Sequence, residues 1–174
     1  MDRIGIFYGS TGGATSDAAH EIAGVLSSRG FEVDVMNIAY VTKDMLRRYE
    51  RIIFGTSTWG MGVLQEDWDD IIDHLADIDF SNKQVALFGT GDQEIYPDTF
   101  VDGLGILFEK VTESNATVVG RWSRDGYKFR ESRGLVDNKF VGLVLDEDNQ
   151  HLHTSARIRD WVGQLASSFE HTSH

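Results

Sequence analysis

Short runs of buried-type residues alternate along this chain with longer stretches in which apolar residues recur every three or four positions. RIGIFYG, from Arg3 to Gly9, predicts a buried strand, and SDAAHEIAGVLSSRG predicts a helix with Ala19, Ile22, Ala23 and Leu26 on one face and Gly30 as its stop. FEVDVMNI reads as a second strand, TKDMLRRYE as a short helix and RIIFGTST as a third strand of almost wholly buried type. EDWDDIIDHLADI places Trp68, Ile71, Ile72 and Leu75 at helical spacing, QVALFGTGD is a fourth strand, and PDTFVDGLGILFEKV predicts a helix opened by Pro97 with Asp98 favouring its N-terminus. The rhythm then slips: ATVVGRW and KFVGLVLD are both strand-like with no helix between them, and the segment from Arg121 to Asn138 reads as an excursion rich in Arg, Gly and Ser. SARIRDWVGQLASSFE closes the chain as a helix with Ile158, Trp161, Val162 and Leu165 on one face, followed by a frayed polar tail, HTSH.

Strands alternating with helices imply an α/β fold, a mostly parallel sheet covered on both faces with right-handed crossovers. The length, 174 residues, suits one core, so residues 1–170 are expected to form a single domain with 171–174 as the tail. Ligands of such sheets bind beyond the carboxyl ends of the strands, at the switch point. That singles out Gly9 to Thr15, Thr56 to Gln65, Gly89 to Tyr96 and the segment after Val144.

Composition narrows the chemistry. The chain has no cysteine, which excludes disulfides, thiolate metal sites, iron–sulfur clusters and thiol nucleophiles, so any redox chemistry must come from a bound group. Its 16 Lys and Arg against 28 Asp and Glu give a net charge of −12. Such a surface repels nucleic acid and anionic membranes and attracts basic proteins, and it equally serves solubility. No apolar run approaches the roughly 20 residues needed to cross a bilayer and no secretory leader is evident, so a cytoplasmic location is expected. His151, His153, His171 and His174 lack ligand-type neighbours and read as surface residues.

The loop GSTGGAT offers hydroxyls from Ser10, Thr11 and Thr15, while Gly12 and Gly13 let backbone N–H groups converge at a helix start. It lacks the Lys of a nucleotide-triphosphate loop and the G-x-G-x-x-G of dinucleotide binders, which leaves a donor-rich site for a phosphomonoester or an ordinary glycine-rich turn. GTSTWGMGVLQEDW and GTGDQEIYPDTF each place an aromatic, Trp59 and Tyr96, in a loop where core packing does not call for one. Two such rings beside an anion site suggest walls for a flat ligand.

Together GSTGGAT, TSTWGMG, GTGDQEIYPDTFVDGLG and KFVGLVLDEDNQ resemble the long-chain flavodoxins, small electron carriers that hold FMN, in order from about Ile4 to Phe169. The passages GRWSRDGYKF and YPDTFVDGLG are similar to the branch that includes nitrogenase-associated flavodoxins. The resemblance implies a flavodoxin-like three-layer sandwich with five parallel strands and an insertion, residues 121–138, in the last one. It assigns the FMN phosphate to Ser10, Thr11, Gly12, Gly13, Ala14 and Thr15, one side of the flavin to Thr56, Ser57, Thr58, Trp59 and Gly60, the other to Thr90, Gly91, Asp92 and Tyr96, and the ribityl chain to Asp148. Where the family usually has Thr and a polar residue, this chain has Gly12 and Ala14, so two phosphate contacts are missing, each worth roughly 1.5–3 kcal/mol. Ser57, where Pro is common, is expected to be silent.

The same resemblance implies a monomeric one-electron carrier cycling between semiquinone and hydroquinone, with no substrate of its own. Asp67, Asp69, Asp70, Asp92, Glu94 and Asp98, with an uncompensated phosphate, would disfavour the anionic hydroquinone. The Gly60–Met61 peptide would turn over on reduction to meet the N5 proton, glycine making that turn easy, so Gly60→Ala is expected to destabilise the semiquinone. Glu66, Asp67 and Asp70 would meet a basic reductase or electron acceptor, or simply form the wet face of their helix. Arg121, Arg124, Lys128, Arg130 and Arg133 would neutralise the acidic sheet edge or form a partner surface. The rival is an FMN-dependent quinone or NAD(P)H reductase, which needs the space over the flavin that Trp59 and Tyr96 would fill. A response-regulator-like receiver would need acidic residues where YGSTGG and GTSTWG stand.

Overall fold

The computed structural model describes residues 3–10, 12–59 and 62–170, without the side chains of Trp59, Val63, Asp70 and Glu170. The predicted tail 171–174 lies outside the described residues, with His171 and His174. Five parallel strand positions make the main sheet, in the order β10-β5-β3-β1-β2: β1 is Ile4–Gly9, β2 Val33–Asn37, β3 Arg51–Trp59, β5 Gln84–Thr90 and β10 Leu143–Leu145. This is the doubly wound flavodoxin-like order, with its switch point between β1 and β3.

The alternation of apolar side chains along the strands fills a core on each face. Phe7, Ile52, Phe54, Val85 and Leu87 point to one side, where they meet α3 (Glu66–Ile71) and α4 (Asp102–Glu113). Ile4, Ile6, Ile53, Ala86 and Phe88 point to the other, under α1 (Ala14–Ser28) and α6 (Thr154–Glu170). Gly55 is imposed by this packing, since a Cβ there would lie 2.0 Å from the Phe88 ring. The short helix α2 (Lys43–Arg47) is capped by Thr42 and closed by Lys83, whose ammonium donates to the carbonyls of Arg47 and Tyr49 at 2.9 and 2.6 Å.

The last strand is split. β6 (Thr117–Val119) pairs with Gln84–Ala86 of β5, and β10 pairs with Phe88–Thr90. Between them the chain leaves the sheet and builds a three-stranded antiparallel sheet from β7 (Trp122–Ser123), β8 (Leu135–Val136) and β9 (Lys139–Phe140). KFVGLVLD is therefore two strands rather than one. Gly142 makes the return, lying so close to β5 that a Cβ would sit 2.0 Å from the Leu87 carbonyl oxygen.

Two helix expectations are corrected. EDWDDIIDHLADI is α-helical only as far as Ile71 and continues as a 3₁₀ segment, Ile72–Asp77. Pro97 does not open α4, which begins at Asp102. The Pro97 carbonyl instead accepts Arg130 and Glu131 N–H at 2.7 and 3.0 Å, the Phe100 carbonyl accepts the Ser132 hydroxyl, and Val101 has a left-handed φ of 47°. Asp98 accordingly bonds Arg130, not a helix N-terminus.

Candidate functional site

Strand register places the loop-bearing ends side by side. Gly9 lies opposite Thr56, Thr56 opposite Gly89, Ser57 opposite Thr90 and Thr90 opposite Leu145. With strands about 4.8 Å apart, every predicted loop leaves one edge of the sheet.

The first loop turns through Gly12 and Gly13, at φ 87° and 93°, into α1. A Cβ on either would meet nothing within 4 Å, so the turn faces open space. The α1 N-cap, Gly13, contributes no side-chain cap, which leaves the first N–H groups and the positive end of a 15-residue helix facing that space. The Ser10 hydroxyl accepts Ser16 N–H at 3.4 Å. Thr15 is buried, and its hydroxyl meets that of Thr90 at 3.0 Å, tying the first loop to the last residue of β5. Ala14 starts α1; Thr11 lies outside the described residues.

The second loop leaves β3 and folds straight back as β4 (Val63–Leu64), with Thr58 opposite Leu64 and Trp59 opposite Val63. The turn ends at Gly62, φ 92°. Gly60 and the Gly60–Met61 peptide lie outside the described residues, as does the Trp59 indole. Thr56 is buried and donates to the Ser57 carbonyl at 2.9 Å, while the Ser57 hydroxyl is itself buried with no protein partner. The Thr58 hydroxyl accepts Gly103 N–H at 2.9 Å, capping α4 where left-handed Val101 cannot.

The third loop is drawn in by hydrogen bonds. Gly91 N–H meets the Leu145 carbonyl at 3.1 Å and Tyr96 N–H the Asp92 carbonyl at 3.0 Å; Tyr96 is 37% exposed. The Asp92 carboxylate accepts Glu94 N–H, Ile95 N–H and the Asn149 amide. Burial opposes its ionisation, but these bonds outweigh it and hold the carboxyl below the usual carboxylate range. Asp148 is exposed in the first turn of α5 (Glu147–Gln150), its carboxyl pushed up by burial and then by the charges of Asp92, Asp146 and Glu147.

The flavodoxin family profile matches residues 6–161. The flavodoxin of Picosynechococcus sp. is 42% identical over 97% of this chain and 99% of its own, and that of Nostoc sp. (strain PCC 7120) 45% identical over 96% and 97%. This chain is a flavodoxin-family protein. The crystal structure of Fusobacterium nucleatum flavodoxin bound to flavin mononucleotide superposes on it with a TM-score of 0.91 at 32% identity, covering 97% of this chain and 99% of the other. Flavodoxins are electron-transfer proteins rather than enzymes with substrates of their own, which places this chain among carriers serving redox partners.

Around the flavodoxin site four of the insertion's five cations are engaged locally. Arg130 binds Asp98 through two hydrogen bonds of 2.6 and 2.7 Å, Arg133 pairs with Glu109 at 3.2 Å, and Arg121 and Arg124 hold Val136, Lys139 and Asn138 within the insertion. Among the described residues no group of three or more His, Asp or Glu could hold a metal, and no helix is long and apolar enough to cross a membrane.

Sequence reasoning missed three residues that shape the site. Asp146 is fully buried and binds the third loop; Gln93, 4% exposed, is its main partner; and Gln65 caps α3 from beneath Gly9, where a Cβ would come within 2.2 Å of its Oε1. Only Asp146 had a local signal, an Asp followed three residues on by Asn149, whose N–H it accepts as the N-cap of α5.

Proposed function

We propose that this chain holds one FMN non-covalently and passes single electrons between redox proteins, working mainly in the lower-potential couple between the half-reduced and fully reduced cofactor. The observation that carries this is the convergence, at the switch point of the sheet, of the glycine-turned N-terminus of α1 with the loops that follow β3 and β5. The residues fit the group. A phosphate would accept from the first α1 N–H groups that Ser10, which reaches Ser16 N–H alone at 3.4 Å, does not take, the open side of Gly12 and Gly13 admits it, and the orphaned Ser57 hydroxyl lies in the loop assigned to the flavin. Ser10, Thr11, Gly12, Gly13, Ala14 and Thr15 would hold the phosphate, Thr56, Ser57, Thr58, Trp59 and Gly60 one side of the ring, Thr90, Gly91, Asp92 and Tyr96 the other, and Asp148 the ribityl side.

FMN, when bound, supplies one-electron steps. The protein's part is to fix the ring, keep water from it with Tyr96 and surround it with negative charge, so that adding further charge to it is unfavourable and the second electron leaves readily. No Lys or Arg stands in the phosphate loop to offset that field. The chain acts as one domain over residues 1–170, as a cytoplasmic monomer, and presents acids such as Glu66, Asp67 and Glu94 to basic partners.

A dithionite titration followed by visible spectroscopy tests the reading. Stoichiometric FMN and two resolved one-electron steps, the second at strongly negative potential, are expected. Single-step reduction, or ready reduction by NAD(P)H with reoxidation by quinone, would replace the carrier by a reductase.

A further inference from the structure

The loop that bears Tyr96 is held at both ends by groups distant in sequence. At its start, Gln93 donates its backbone N–H and its side-chain amide to Asp146 Oδ2, at 3.0 and 2.7 Å. Asn149 braces the same carboxylate and reaches across to Asp92 Oδ1 at 2.8 Å. The other atom of the Gln93 amide, Oε1, accepts the backbone N–H of Lys128 in the insertion at 2.5 Å. Past Tyr96, the Pro97 carbonyl takes Arg130 and Glu131 N–H, and Asp98 takes the Arg130 guanidinium.

The insertion is itself fixed to the main sheet. The Tyr127 hydroxyl donates to the Val144 carbonyl at 2.5 Å and accepts the Trp122 indole N–H at 2.9 Å. The ring lies under the Arg157 guanidinium, 4.2 Å from it, and packs on Phe100 and Phe140. A rigid path therefore runs from β10 through the insertion to both sides of Tyr96. A buried carboxylate satisfied this fully has few alternative arrangements.

Resting on the FMN reading, we propose that Asp146 and Gln93 are positioning residues for the Tyr96 wall. Asp146 touches no cofactor in this scheme; it acts by holding Gln93 and Asn149, and they hold the loop. Asp146 requires a carboxylate because both of its oxygens accept: Oδ2 takes the Gln93 N–H and amide and the Asn149 amide, and Oδ1 takes the Asn149 N–H and amide. An asparagine offers one acceptor and turns an N–H₂ against donors already in place.

Three proteins test this beside the unaltered chain: Asp146→Asn, Gln93→Leu, and Asp125→Asn, an exposed insertion acid that controls for the lost charge. Amide hydrogen exchange of residues 92–98 is followed without cofactor, alongside thermal unfolding, and FMN binding by fluorescence titration. Asp146→Asn and Gln93→Leu should each speed exchange of the loop at least tenfold while α1 and β1 keep their protection, and weaken FMN binding about tenfold or more. Asp125→Asn should change neither. Loop exchange and affinity both within twofold of the unaltered chain in Gln93→Leu would overturn the proposal, and that variant decides alone if Asp146→Asn does not fold. Should the unaltered chain take up no FMN, the function fails, while the exchange experiment still judges the clamp.

Discussion

The loop after β1 and the loop after β5 line the same site and are built by opposite means. The first is mainly local: one strand, two glycines and one helix start, with Ser10 and Ser16 six residues apart as its internal tie and the Thr15–Thr90 hydroxyl pair as its link to β5. The second is assembled from afar, its bonds joining residues separated by 53, 57 and 35 positions, from Asp146, Asn149 and Lys128. A local loop can be judged by substitution within it, whereas a distant assembly should be sensitive to changes the cofactor never touches.

The largest expected effect strikes the distant assembly at its base. Phe140 is fully buried among Phe100, Tyr127 and Phe129, with ring centroids 5.3–6.1 Å away. Phe140→Ala should destabilise the protein by about 3–5 kcal/mol in urea unfolding and loosen the insertion. In the local loop, Gly13→Ala tests conformation alone, because nothing lies within 4 Å of the added methyl. At a φ of 93° it should cost about 1–2 kcal/mol and weaken phosphate binding, measured by the same unfolding curve and by FMN titration. Outside both loops, Thr58→Val removes the bond from the end of β3 to Gly103 N–H of α4. A loss of about 1 kcal/mol is expected, and an unchanged urea midpoint would show that α4 does not depend on this cap.

The same contrast explains how far the sequence could be read. Strands such as RIIFGTST and QVALFGTGD are legible because residues buried on both sides of a sheet form continuous apolar runs. The phosphate loop is legible because glycine, hydroxyl and helix start are contiguous. Pro97 misled because proline favours a first helical turn, yet here its carbonyl and that of Phe100 are claimed by Arg130, Glu131 and Ser132, which no local pattern announces. KFVGLVLD looked continuous because Gly142 interrupts it for contact with Leu87 rather than for a turn of its own. Gln93 carries no local mark of its role, since both ends of its amide are satisfied by segments that adjoin it only after folding.

The smallest expected effect lies in the acid limb of stability. Burial pushes the Asp102 carboxyl up, against the Arg133 N–H that it accepts at 2.8 Å, and Asp148 is raised as well. Both bind a proton more readily folded than unfolded, so as pH falls from neutral through their raised values they add stability. Asp92 runs the other way. Its carboxyl is lowered in the folded protein, so its contribution is complete above the unfolded value of about 4 and is lost as pH falls through the folded one. Urea midpoints of the cofactor-free protein should therefore rise slightly toward about pH 4 from these groups and drop below it. Asp102→Asn should flatten the rise and leave the drop; Asp92→Asn should lower the plateau and make the drop shallower, the remainder coming from Asp34, Asp77, Asp79 and Asp98, whose carboxyls are lowered too. A drop of equal depth in Asp92→Asn would mean that the bonds from Ile95, Glu94 and Asn149 contribute to the loop's shape without stabilising the charge, and the distant assembly would then be neutral packing rather than electrostatic anchoring.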